Sequence, residues 1–240
     1  MNPTFRLILS IAVIVVLWQV PGGAQVLYPL TLLATLAHEL GHGLTALLVG
    51  ARFESLALYP DGSGIARWTG SPGAIGTALI AAGGLVGPSV AGVVLLCLSN
   101  WQRFVRRLLV LLALLAALVV VMWVRNPFGI LFVLSAATVM IIASRVLADG
   151  AAAFLLNLVA VTLCLSLFKD IDYMFSEFAI VDGITRTSDS AAIAAALWLP
   201  YWFWGASVMV FSLALLILGV WMTNRTVRDA GKGAGEANSA

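Results

Sequence analysis

Residues 26–50 read VLYPLTLLATLAHELGHGLTALLVG, a run of membrane-spanning length that is apolar apart from Tyr28, a few threonines and, at its middle, His38-Glu39-Leu40-Gly41-His42. A spanning helix needs about 20 predominantly apolar residues. An ionisable side chain near the bilayer centre costs about 2.5–3.5 kcal/mol even on a lenient insertion scale. Two histidines and a glutamate clustered inside one span are therefore hard to explain as packing.

The rest of the chain has the same character. Of 240 residues, 62% are hydrophobic and 10% charged, against about 25% charged in a soluble domain, and the mean hydropathy is +1.05. The expected fold is an all-α integral membrane protein, a polytopic bundle of about six to seven transmembrane helices occupying residues 1–222, multi-pass in the lipid bilayer. A formal net charge of +2 gives no basis for a nucleic-acid partner. The small, polar residues 223–240 are expected to form a disordered tail. Cys97 and Cys164 lie in apolar runs and read as packing residues, not as a disulfide framework.

Working outward, the run Leu7 to Val20 reads as a retained first helix, although its charged start and small-residue exit also resemble a leader. After the HELGH span, Phe53 to Tyr59 and Ile65 to Thr69 flank Pro60-Asp61-Gly62-Ser63-Gly64, which predicts a β-hairpin. Ala74 to Leu98 contains Gly83-Gly84 and Gly87-Pro88, so it is either a span with a weak point or a partly re-entrant segment, and Gly83 and Gly87 also form a GxxxG pair that allows close helix approach. Val105 to Ala143 is too long for one span and breaks at Arg125-Asn126-Pro127. Further spans run from about Gly150 to Phe168 and from about Tyr201 to Met222, with the densest acidic stretch between them.

On a helix, His38 and His42 lie one turn apart on one face, about 6 Å along the axis, so both imidazoles can turn to one ion. Glu39 is rotated by about 100° and is placed to act on a water as general base. With two histidines and four glutamates in the chain, chance produces this spacing about once in 7,000 sequences. Zinc is the leading ion, and the same donors also serve iron, cobalt or manganese. A hydrolytic zinc site has three protein ligands, and with no further histidine the third must be a carboxylate. Asp170, Asp172, Asp182 and Asp189 of the acidic stretch are the candidates, with water alone as the remaining alternative. Gly41 and Gly43 remove side chains beside the site, leaving room for another backbone or a substrate strand.

HELGHG on an apolar helix, a short hairpin after it, a Gly-rich helix, the segment 124–129 (VRNPFG) and Ser188-Asp189-Ser190 before the final span together resemble the compact bacterial branch of the site-2 protease family, intramembrane zinc metalloproteases. The resemblance spans about residues 28 to 222, and only HELGH is specific by itself. It implies His38, His42 and a distant aspartate as zinc ligands and Glu39 as the catalytic residue. The Ser-Asp-Ser segment makes Asp189 the implied aspartate, with Asp182 of Asp182-Gly183 as the alternative. It also implies a bacterial cell membrane as the location and a membrane-protein substrate as the partner.

The expected activity is hydrolysis of peptide bonds within or next to transmembrane segments. The rivals are a membrane zinc hydrolase acting on a lipid amide or ester, and a non-enzymatic metal-binding membrane protein. Transport is disfavoured because no second intramembrane ligand cluster and no internal repeat are visible. Arg125 and Asn126 could polarise a carbonyl, but a cation and an amide at a helix break more often cap a turn. The Gly83-Gly84 and Gly87-Pro88 region is expected to offer a loose helix for access, and the hairpin to pair with an unwound substrate.

Overall fold

A computed structural model describes residues 3–101 and 104–237, with side chains as far as residue 223. The HELGH run lies on α2 (Gly23–Leu48), preceded by α1 (Pro3–Gln19). The predicted hairpin follows as β1 (Arg52–Leu58) and β2 (Gly64–Thr69). The spans α3 (Gly73–Ser99), α4 (Val105–Met122), α5 (Pro127–Val146) and α6 (Asp149–Lys169) come next, then a single turn, α7 (Ile171–Met174). A second hairpin, β3 (Phe178–Val181) and β4 (Ile184–Thr187), leads into α8 (Asp189–Ala196) and α9 (Tyr201–Ala237).

Five of these helices, α3, α4, α5, α6 and α9, are long and apolar enough to cross a membrane. α1 is a shorter apolar helix, while α2 has the length but carries the polar cluster. The protein is thus a polytopic, all-α integral membrane protein with two small hairpins. α9 continues as helix to Ala237, into the stretch read from composition as a disordered tail; residues 238–240 lie outside those described.

α6 is the most enclosed span, with 67% of its most apolar window buried, whereas α4 has 17%. The principal core surrounds α6 and joins Leu7 and Ile14 of α1, Leu95 and Leu96 of α3, and Leu109 of α4. α3 forms the other half of the centre, touching α2, α6, α8 and α9. It is one continuous helix through Pro88, so it is not re-entrant. Its glycines allow a close approach to α2. A Cβ on Gly41 would run into the Gly83 carbonyl, and one on Gly87 would lie 3.1 Å from the Gly41 Cα. The region expected to be loose is therefore where α2 and α3 press together, and the space beside Gly41 is filled by α3.

The first hairpin is built into this frame. Phe53, Leu56 and Leu58 are all buried although 53 and 56 have opposite parity. A bulge between Phe53 and Ser55 adds one residue and brings all three to the same side. Phe53 fills the space beside Gly43 and stacks on Trp123, with ring centroids 4.8 Å apart.

The break between α4 and α5 pairs with β1 through an isolated parallel bridge between Leu56 and Val124. The Leu56 amide donates to the Trp123 carbonyl at 2.7 Å, and the Arg125 amide donates to the Leu56 carbonyl at 3.0 Å. The Asn126 side chain extends the ladder by accepting from the Leu58 amide at 3.2 Å and donating to the Leu58 carbonyl at 2.5 Å. The Arg125 guanidinium donates to carbonyls at the end of α4, reaching that of Met122 at 2.6 Å, as expected of a cation at a helix C-terminus. Arg125 and Asn126 are thus occupied in structure, consistent with the capping alternative.

Candidate metal centre

His38 and His42 stand one turn apart on α2, and their rings meet edge to face with centroids 4.7 Å apart. The His42 Nδ1 lies 2.8 Å from the Ile80 carbonyl of α3. A carbonyl only accepts, so Nδ1 carries the proton and the lone pair of the neutral ring is on Nε2. That nitrogen faces His38 Nε2 at 3.1 Å. α3 can come this close because Gly84 has no side chain, and a Cβ there would enter the His42 ring.

The third group arrives from α8. Ser188, fully buried, caps this helix by accepting from the Ala191 amide at 3.2 Å, while its hydroxyl donates to the Ser176 carbonyl. Because Ser188 serves as the cap, Asp189 at the first helical position is free to project its carboxylate elsewhere. Its Oδ2 lies 3.0 Å from His38 Nε2 and 3.3 Å from His42 Nε2.

These three atoms form a triangle with edges of 3.0, 3.1 and 3.3 Å. A tetrahedral ion with bonds of about 2.0–2.1 Å separates its ligands by about 3.3–3.4 Å. The triangle is within a few tenths of an ångström of that size, and its donors, two imidazoles and a carboxylate, suit such an ion. Among the described residues, His38, His42 and Asp189 are the group that could hold a metal.

Glu39 is buried beside them, 5% exposed, and its carboxylate accepts a hydrogen bond from the Ala66 amide of β2. Gly64 makes this approach possible, since a Cβ there would sit 2.8 Å from the Glu39 Cγ. Amides in an antiparallel ladder alternate in direction, so those of Gly64 and Trp68 share the outward side of Ala66, toward the site. His38 and Glu39 line two adjoining cavities. The larger, about 390 Å³, is lined by hydroxyls including Thr31, Thr35, Thr162 and Ser166. The smaller, about 180 Å³, runs between β2 and the second hairpin and contains His42 and Asp189.

The other acidic candidates are placed elsewhere. Asp182 and Gly183 form the two-residue turn of the second hairpin, both with positive φ, 51° and 72°, as a type I′ turn requires. The Asp182 amide donates to the Ser63 hydroxyl at 3.2 Å, so the tips of the two hairpins touch. Burial acts to raise the Asp61 pKa there, but hydrogen bonds from Ser63 and from the Asp182 amide outweigh it and hold the carboxyl below its ordinary value. Asp170 and Asp172 line the larger cavity and do not join the triangle. Cys97 and Cys164 are free thiols, and Cys164 packs against Gly92.

Tyr173 of α7 is the site residue the sequence did not reveal. Its hydroxyl donates to Asp189 Oδ2 at 2.8 Å and accepts from the Asp189 amide at 3.2 Å. Burial, followed by the nearby carboxylate, holds its pKa well above the ordinary value. No local pattern marks such a tyrosine. The second hairpin, in contrast, did have a signal, since Asp-Gly between Phe-Ala-Ile-Val and Ile-Thr-Arg-Thr is a strong turn pattern.

An integral, multi-pass bundle that gathers two histidines, an aspartate and a glutamate around small cavities defines a membrane protein with a potential metal centre. Comparison with known families specifies it: the family model described as Peptidase M50B-like matches residues 7–219, so the chain belongs to this family of metallopeptidases and with it to the site-2 protease group. No curated protein and no solved structure matches the chain.

Proposed function

We propose that the protein is an intramembrane zinc endopeptidase that hydrolyses peptide bonds within or next to the transmembrane segments of other membrane proteins. The observation that carries this reading is the His38–His42–Asp189 triangle beside the buried Glu39. Zinc held by these three side chains supplies a Lewis acid that polarises a carbonyl and lowers the pKa of water toward ~7. His42, with its proton fixed on Nδ1 by Ile80, presents Nε2 to the ion. Glu39 accepts the proton of the attacking water and delivers it to the leaving amine. The hydroxyl-lined cavity supplies water to Glu39 from one side, and the substrate occupies the smaller cavity on the other.

A helical substrate has its carbonyls hydrogen-bonded internally and must be extended before attack. The outward amides of Gly64 and Trp68 are placed to hold such a strand along β2. This favours a peptide over a lipid amide or ester, which makes no use of a strand edge.

The test is the metal content of the detergent-purified protein, with cleavage of reconstituted single-span peptides carrying helix-breaking residues. Near-stoichiometric zinc in the wild type, absent in His42→Ala, with cleavage abolished and zinc retained in Glu39→Gln, is the expected result. A folded wild type without a transition metal overturns the proposal.

A further inference from the structure

We propose that Tyr173 is a positioning residue that aims the Asp189 carboxylate at the two histidines and thereby sets the affinity of the metal centre; the inference rests on the metal-binding reading above. The phenol contacts Asp189 twice, donating to Oδ2 at 2.8 Å and accepting from its backbone amide at 3.2 Å. These two bonds close a ring through the aspartate and leave its side chain one orientation. The oxygen so held is the one that faces both imidazoles. A carboxylate oxygen has two lone-pair directions; Tyr173 takes one and leaves the other pointing at the histidines.

The tyrosine is fixed from behind. Its ring is set edge-on to His38, with centroids 6.1 Å apart. The next residue, Met174, is buried, and its carbonyl lies against α9 where Gly205 has no side chain, so that a Cβ there would collide with it. A chain of contacts therefore runs from the last span through α7 to the triangle. Outer groups of this kind are known to matter by about 10–100-fold in metal affinity.

Tyr173→Phe removes the hydroxyl and little else. The experiment is zinc competition against a chromogenic chelator using the full-length protein in detergent, for the wild type, Tyr173→Phe and Asp189→Ala, with cobalt absorption spectra as a second readout. The expected result is stoichiometric zinc in the wild type, none in Asp189→Ala, and about 10–100-fold weaker binding with an altered cobalt spectrum in Tyr173→Phe. Wild-type affinity and spectrum in Tyr173→Phe, with or without a lower melting temperature of the metal-free protein, reduce the tyrosine to a packing role and overturn this inference alone. Absence of zinc from the wild type overturns the metal reading and this inference together.

Discussion

The two hairpins that flank the candidate centre are built in opposite ways. β1–β2 is anchored on three sides: Phe53, Leu56 and Leu58 are buried, the α4–α5 turn pairs along its outer edge, and Asn126 holds Leu58 by both backbone groups. β3–β4 has strands of four residues; β4 is exposed along its whole length, and Phe178 and Ile180 are 62% and 71% exposed. A tertiary hydrogen bond ties its tip, from the Asp182 amide to Ser63, while Ser188 and Ser176 close its own foot. Few buried contacts mean low local stability. One side of the smaller cavity is thus a firmly anchored wall, and the other is the less anchored one.

The largest contrast lies between the tip and foot of the second hairpin. Asp189→Ala is expected to reduce bound zinc to background, and Asp182→Ala to leave it stoichiometric, as read by metal analysis of the purified proteins; equal loss in both would erase the distinction. Next, joining the tips in Ser63→Cys/Asp182→Cys is expected to abolish cleavage under oxidation and restore it on reduction, with zinc retained throughout. Full activity in the cross-linked protein would show that the second hairpin need not move.

A smaller effect tests the fixed wall. Asn126→Ala leaves the Leu58 amide and carbonyl without partners and is expected to destabilise the fold by about 1–3 kcal/mol, seen as a lower thermal midpoint with unchanged metal content. An unchanged midpoint would mean that β1 does not depend on the α4–α5 turn. Smallest is Gly183→Val, where a branched side chain at φ 72° is expected to cost about 1–2 kcal/mol, confined to the hairpin and read as faster amide exchange in residues 178–187 with no change in zinc.

The same contrast separates what could be read from the sequence. The HELGH spacing, the Pro-Asp-Gly turn of the first hairpin and the helix break at Pro127 are local signals, and each appears in the structure where it was expected. Asp189 was reached through a motif resemblance, and the structure brings it to the histidines while placing Asp182 in a turn. The second hairpin hides behind its Asp-Gly pair, whose carboxylate reads as a ligand candidate whereas its backbone conformation is the informative property. The bridge between Val124 and Leu56 and the bond from Tyr173 to Asp189 have no local trace, because both join elements far apart in the chain. Gly83 and Gly87 read two ways, as part of a loose helix or as a close-packing GxxxG pair, and only the position of α2 decides between them.

The hydrogen bond from His42 to the Ile80 carbonyl has a consequence for biogenesis. The proton position on a side chain of α2 is set by a backbone atom of α3, and the acidic group comes later still, at the start of α8. A nascent chain that has inserted only its first two helices therefore carries a pair of histidines without the partners that would organise them. A metal held by His38, His42 and Asp189 would therefore need α3 and α8 to be docked first, and its occupancy would record that these elements had come together.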